Sequence, residues 1–454
     1  MANFNINVKS YWVRSIFFTF FQRFATTLFG LLTFMIIARS LSKAQMGTWA
    51  LFLVITTTYE MSKNALLKSA HIKFMSSSDD NLLKKEIASS SFFINSILAL
   101  LFIIFILSLG PIFSTWLNAG KELSNILYIY IPGIISLIFF THYEAVQQSY
   151  FDFKGQFYGQ VVKQIIFFIL VVFFYYGGKQ LDLNLLTIFY CTSIFFGTLT
   201  LFFFSRQYIS MLILPSKLWA KKIIGYGGYI LGSNIFSTIF YSFDQLIISK
   251  FLNPISVSFY STAGKIATFV DIPSYAAAEI LFPKLAKASN DSQAEAFNTM
   301  FEKSISILYS LCIPLVTVAL FMPKTLIRWV AGEMYTDAAP ILQVYLIVSI
   351  LGIVQHQSAN ALNSLGKSKL CFTLNVLGLV IKFIVVSICL ILYGLMGAAI
   401  GNLITATINF FVWYFIIRKH IDFSWRSILK NLVDNYIFFY SSVYQILAKP
   451  RLKD

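Results

Sequence analysis

The chain has 454 residues, 57% of them hydrophobic and only 12% charged, with a mean hydropathy of +0.73. A water-soluble domain carries about 25% charged residues, so this composition excludes a soluble fold, which would leave far too much apolar surface in water. The net charge of +16 would suit nucleic acid only if it formed a basic face on a folded domain; here Lys and Arg punctuate apolar runs, and no nucleic-acid partner is expected.

Hydrophobic blocks about 20–25 residues long recur from Tyr11 to Ile417, each able to cross a hydrocarbon core of ~30 Å as a helix. In chain order the predicted spans are 14–38, 44–66, 88–116, 122–148, 156–177, 184–205, 223–249, 254–280, 300–322, 338–362, 369–393 and 396–417. The expected fold class is therefore an all-α membrane protein of about twelve transmembrane helices. The first run is too long for a signal-peptide core and lacks a convincing cleavage site, so it reads as a retained span. Alternate connections carry the basic residues: Lys68, Lys73, Lys84 and Lys85; Lys217, Lys221 and Lys222; Lys284 and Lys287; Lys367 and Lys369. The positive-inside rule then places these loops and both termini in the cytoplasm. The outer connections are too short to fold into a domain. In residues 424–447, Lys430, Asn431, Asp434 and Asn435 interrupt an apolar run. The reading is an amphipathic helix in the cytoplasmic interface, with a thirteenth span as the alternative. Cys191, Cys312, Cys371 and Cys389 lie in apolar surroundings without a C-x-x-C pair, as small buried residues do.

An internal repeat organises these spans. A constant offset of 211 carries Leu41-Ser42 onto Leu252-Asn253, Arg39 onto Lys250, Glu60 onto Asp271 and Gly155 onto Gly366. Six spans per half give both halves the same orientation, so they form a parallel repeat about an axis along the membrane normal, with a central cavity between them. The expected domains are an N-terminal six-helix lobe at 1–210, a C-terminal six-helix lobe at 211–420 and an interfacial tail at 421–454.

Charges within spans carry the functional argument, because each costs roughly 2.5–3.5 kcal/mol at a helix centre and must face protein or water. Arg23 lies about nine residues inside the first span, hence ~13 Å deep, and Lys265 reaches a similar depth in the eighth. Polar residues follow both at helical spacing: Thr19, Thr26 and Gly30 beside Arg23; Thr268, Asp271 and Tyr275 beside Lys265. Asn234, Thr238, Tyr241 and Gln245 mark one side of the seventh span. Arg23, Lys265, Asn234 and Tyr241 are the candidate residues of a cationic substrate cavity. Glu60, Lys63 and Asp271 are candidates for coupling or gating, although Glu60 and Lys63, three apart, suit a structural pair equally well. Lys163 and Lys382 lie where they can snorkel to headgroups; His142, Glu144 and His356 sit near inner helix ends, where a structural or gate role outweighs a proton-linked one.

Catalytic readings fail. Leu365-Gly366-Lys367-Ser368 resembles the end of a P-loop, but its first glycine would fall at Ala361 and the segment joins two spans. The sequence holds no H-E-x-x-H, metal-spaced Cys/His cluster or G-x-S-x-G. No enzyme activity, metal or cofactor is expected.

Ala38-Arg39-Ser40-Leu41-Ser42-Lys43-Ala44-Gln45-Met46-Gly47-Thr48-Trp49-Ala50 resembles the turn after the first span of bacterial oligosaccharide flippases, and Phe251–Ala263 and Ala361–Ser368 are similar to that family too. The resemblance covers about residues 11–420. It implies the multidrug/oligosaccharidyl-lipid/polysaccharide exporter superfamily and, within it, an O-antigen or capsule flippase of the Wzx type. Such a protein moves undecaprenyl-pyrophosphate-linked repeat units from the cytoplasmic to the outer leaflet of the bacterial inner membrane by alternating access, in surface polysaccharide and lipopolysaccharide biosynthesis. The resemblance also implies a cationic cavity, which Arg23 and Lys265 fit, and as partners the lipid-linked oligosaccharide, membrane lipids, a polysaccharide polymerase and a chain-length regulator. A cation-coupled drug exporter of the same superfamily is the alternative, though it would favour an acidic cavity. A membrane-embedded polymerase or glycosyltransferase is a further one, against which the short outer loops count.

Overall fold

The structure, a computed structural model, describes residues 8–448 apart from 79, 179, 209–213, 270, 271 and 273–293. It is helical throughout, with no strand among the described residues. The helices are α1 (Val8–Ser40), α2 (Lys43–Ser76), α3 (Asn81–Trp116), α4 (Gly120–Ile129), α5 (Ile131–Ser149), α6 (Lys154–Tyr176), α7 (Leu183–Ser205) and α8 (Lys217–Phe251). After α9 at 254–269 come α10 (Ala294–Phe321), α11 (Pro323–Ala331), a 3-10 turn (Glu333–Ala338), α12 (Ala339–Ser364), α13 (Ser368–Ile417) and α14 (Trp425–Ala448). Among the described residues, seven helices are long and apolar enough to cross a membrane, or eight if α4 and α5 form one bent span. The protein is a multi-pass membrane protein.

Local chemistry explains where helices begin and break. Ser42 caps α2 in a reciprocal box: the Gln45 N–H donates to Ser42 Oγ at 3.2 Å, and the Ser42 N–H to Gln45 Oε1 at 3.1 Å. Asn253 does the same work before α9, its Oδ1 accepting from the Ser256 N–H at 2.8 Å. These are the two positions that the repeat offset equates. The expected span 122–148 is divided at Tyr130 into α4 and α5, bent by 45°. Pro132 enters the first turn of α5, where it lacks the N–H that would continue α4 and its ring crowds the carbonyl four residues back. Within α13, Gly394 (φ 58°, ψ −143°) interrupts the helix. Gly397 lies against Cys389, Gly401 against Val386 and Gly378 against Asn409, so 368–393 and 395–417 run antiparallel as a hairpin. Only glycine adopts Gly394's backbone conformation readily.

Several boundaries differ from expectation, those of α2 and α8 most consequentially. The second span, expected to end at 66, continues as α2 to Ser76, so Lys68 and Lys73 stand on a helix rather than in a loop; α8 likewise begins at Lys217. Polar residues do not end these helices, because Lys is a good helix former.

By contacts the chain forms two units, Met1–Ser258 and Phe259–Asp454. In the first, α8 packs along α2 and α3, and α6 along α1 and α7. The approach of α8 to α2 is close: a Cβ on Gly227 would stand 1.7 Å from the Leu66 carbonyl oxygen, so nothing larger than glycine fits. Each end of α8 is tied. Near its start Ser216 N–H donates to Ser90 Oγ (3.0 Å). Near its end Asn118 Nδ2 donates to the Ser249 (3.2 Å) and Lys250 (2.8 Å) carbonyls. Asn118 holds a left-handed backbone, φ 54°.

In the second unit α12 packs on α13 and α10, and α14 on α10. The Ser424 N–H donates to Glu302 Oε1 (2.7 Å), Ser306 Oγ to the Ile428 carbonyl (3.0 Å) and Asn435 Nδ2 to Ser310 Oγ (3.2 Å). Residue numbers rise together on both helices, so α14 runs alongside α10 in the same direction.

Candidate functional site

The charged residues of α2 gather at its packing surface with α5. Glu60 is half-buried, and its Oε1 accepts from the Tyr130 hydroxyl at 3.0 Å. Tyr130 is fully buried at the α4–α5 break. It stacks with Tyr190 (ring centroids 5.9 Å apart) and meets Phe52 edge-on at 5.1 Å, with Trp49 behind Phe52 at 4.9 Å. Aromatic packing thus fixes the hydroxyl that holds the carboxylate.

One turn along, Lys63 is 2% exposed. Its Nζ donates to the Leu137 carbonyl at 3.1 Å and lies 5.5 Å from the Tyr59 ring centroid. The Glu60 and Glu144 carboxylates both act on this ammonium electrostatically. Lys68 and Glu144 form an ion pair at 3.1 Å, and the buried His71 and His142 rings meet edge to face at 5.7 Å. Asn95 Nδ2 donates to the Ile138 carbonyl at 2.9 Å. Glu60, Lys63, Glu144 and Lys68 therefore form a ladder of alternating charge along the α2–α5 contact. A buried charge persists only when it is compensated: Lys68 and Glu144 pair directly, while Glu60 and Lys63 are each held by a hydrogen bond, to Tyr130 and to the Leu137 carbonyl.

Several expected residues are placed elsewhere. Arg23 is exposed on α1, where its carbonyl accepts from Thr26 Oγ1 at 3.0 Å. Lys265 is exposed on α9, its carbonyl accepting from Thr268 Oγ1 at 2.7 Å. The two stand in different units. Asn234, Thr238 and Tyr241 belong to α8, but their side chains lie outside the described residues, as does the whole of Asp271. Glu60 and Lys63 have their hydrogen bonds to Tyr130 and Leu137 rather than to each other. Lys382 is 5% exposed, so it does not reach outward to headgroups as snorkelling requires; α13 folds its own second arm over that face. Sequence reasoning missed Tyr130 and Lys68. Nothing local marks Tyr130, whereas Lys68 on an extended α2 would have been found by carrying the Glu60–Lys63 face one further turn.

The Leu365–Ser368 segment forms the turn between α12 and α13, with Gly366 at φ 73°. Lys367 Nζ there lies 2.8 Å from His420 Nδ1. Burial, then the Lys367 and Lys419 charges, lowers the pKa of the His420 imidazole below its ordinary value. Among the described residues no group of three or more His, Cys, Asp or Glu could hold a metal.

Residues 36–340 match the family described as polysaccharide biosynthesis protein. A Shigella flexneri protein named as an O-antigen transporter is 28% identical over 182 residues, 40% of this chain and 43% of its own. The alignment thus spans less than half the length of that relative. A membrane protein of the cps region of Klebsiella pneumoniae is 23% identical over 428 residues, 92% of this chain and 83% of its own. In fold, the chain superposes on lipid II flippase MurJ in its inward-closed conformation with a TM-score of 0.76 at 17% identity, over 97% of this chain and 94% of MurJ. A family match covering well over half of the chain, on a MurJ-like transporter fold, makes this protein a member of the polysaccharide biosynthesis protein family.

Proposed function

We propose that the protein is a flippase that moves an undecaprenyl-pyrophosphate-linked oligosaccharide repeat unit across the bacterial inner membrane by alternating access. In this reading two six-helix repeats, 1–210 and 211–420, surround a central cavity, and both termini are cytoplasmic. The observation that carries the reading is the exposure of Arg23 and Lys265, both of which the sequence puts near mid-depth of their expected spans. A cation cannot face lipid there at tolerable cost, so both side chains face water.

A glycan crossing hydrocarbon would lose the hydrogen bonds of its hydroxyls, and the pyrophosphate its hydration. A hydrated path with cations at mid-depth lowers that barrier while the polyprenyl chain stays in lipid. Arg23 and Lys265, with Asn234 and Tyr241, are the assigned substrate residues; Glu60 and Lys63, with Asp271, are the assigned coupling or gate residues. The charge ladder supports the latter role, because moving the Glu60 carboxylate off its Tyr130 hydrogen bond would alter the field at Lys63.

R23E and K265E should each abolish surface polysaccharide export at matched membrane abundance, and R23A should impair it less, because reversal repels pyrophosphate where removal only fails to attract it. Normal export by the R23E/K265E double variant would remove the cationic-cavity reading. Retained export of cationic drugs by the wild type, with no accumulation of lipid-linked glycan in a deletion strain, would favour the drug-exporter alternative.

A further inference from the structure

At the end of the first unit where α2 stops and α3 and α8 begin, two groups of aromatic rings lie on one buried apolar cluster. Phe74 stands 5.7 Å from both Trp219 and Tyr226. Trp219 and Tyr150 pack on the same buried group, Met75, Ile87 and Val146. Tyr150 in turn stacks on Tyr208 at 4.8 Å.

Three ammonium groups are held over these rings. Lys73 Nζ lies 3.9 Å from the Tyr226 centroid, Lys222 Nζ 4.3 Å from that of Trp219, and Lys84 Nζ 5.1 Å from that of Tyr150. Lys73 and Lys222 are exposed and Lys84 half-buried. The nearby acids Asp80 and Asp152 are engaged locally. Asp80 accepts from the Leu82 N–H at 2.8 Å, and Asp152 from the Tyr208 hydroxyl at 3.1 Å. Among the described residues none of the three lysines forms an ion pair with a carboxylate.

We propose that this collar binds the phosphate of an anionic phospholipid. Its level fits: Phe74 lies about 12 Å along α2 beyond residue 66, the expected inner end of the second span, on the cytoplasmic side of the hydrocarbon where anionic headgroups act. Its chemistry fits as well. A ring beneath each lysine restricts its rotamers without neutralising it, so a phosphate meets preorganised cations and less side-chain entropy is lost on binding. Basic clusters between spans at this level suit anionic headgroups. The surroundings favour a lipid over a free ion, because Leu82 (60% exposed) and Leu218 (59% exposed) flank the collar and offer acyl chains an apolar surface that inorganic phosphate would not use.

The test is thermal unfolding of the full-length protein in non-ionic detergent. Added phosphatidylglycerol or cardiolipin should raise the midpoint by about 2–4 °C through linkage, whereas phosphatidylcholine or sodium phosphate at the same concentration should not. K73Q/K84Q/K222Q should lose the response, and K121Q/K324Q should keep it. If the neutral triple variant does not fold, K73R/K84R/K222R should fold and retain the lipid response, since charge and ring stacking survive. An equal rise with phosphatidylcholine, a response undiminished in the glutamine variant, or its loss in the arginine variant overturns the proposal. A full response to sodium phosphate alone reduces the collar to an ion site and overturns the lipid assignment.

Discussion

Lys63 is the residue whose environment is most demanding. Its ammonium is held inside the first unit by one carbonyl, one ring and two carboxylates acting at a distance. Removing one member of a buried charged set leaves the others uncompensated, at a cost of about 3–5 kcal/mol. K63A should therefore lower thermal stability in detergent strongly. Adding E60Q should restore part of the loss, because it deletes a negative charge that K63A leaves unbalanced. Strictly additive effects of the two changes would show that Glu60 and Lys63 do not act on each other. Exposed Arg23 behaves differently: R23A is expected to spare stability.

The ties of α8 dominate at the level of elements. Asn118 closes the turn after α3 in a left-handed conformation and gives both protons of its amide nitrogen to the last carbonyls of α8. N118A loses those bonds and its tolerance of that backbone, a combined cost of about 2 kcal/mol; N118G loses only the bonds and should unfold at a higher temperature than N118A. If glycine is the worse of the two, the backbone conformation contributes nothing. These ties were not legible in the sequence, since Asn118 and Ser249 are far apart in the chain and each reads locally as a polar helix end. Apolar runs long enough to span, by contrast, announced nearly every helix, and the Ser42 and Asn253 caps stand at positions that the repeat offset equates. The bend at Tyr130 was foreshadowed only by Pro132. The site was half legible: a charge in an apolar run stands out, as Glu60 and Lys63 did, whereas the tyrosine that holds Glu60 is one of 24 tyrosines and becomes special only through packing.

For the whole molecule, α14 decides on which side the chain ends. Its contacts advance together with those of α10 as far as Ser310 and Asn435. Among the described residues α14 is not one of the helices long and apolar enough to cross a membrane, so the expectation of an interfacial helix with a cytoplasmic C-terminus is kept. Cysteines at Ser441, Lys84 and Lys221, each in a background lacking the four native ones, should all be protected from an impermeant thiol reagent in intact cells, whereas one at Lys121 should react. Reaction at Ser441 with protection at Lys84 and Lys221 would make α14 a thirteenth span instead. The Gly394 hairpin bears on biogenesis as well as on shape. Its two arms meet through contacts confined to one stretch of 50 residues, so little chain must be searched to form them. The pair can leave the translocon already zipped together, delivering two crossings in a single insertion event, late in synthesis and independently of partners encoded hundreds of residues earlier.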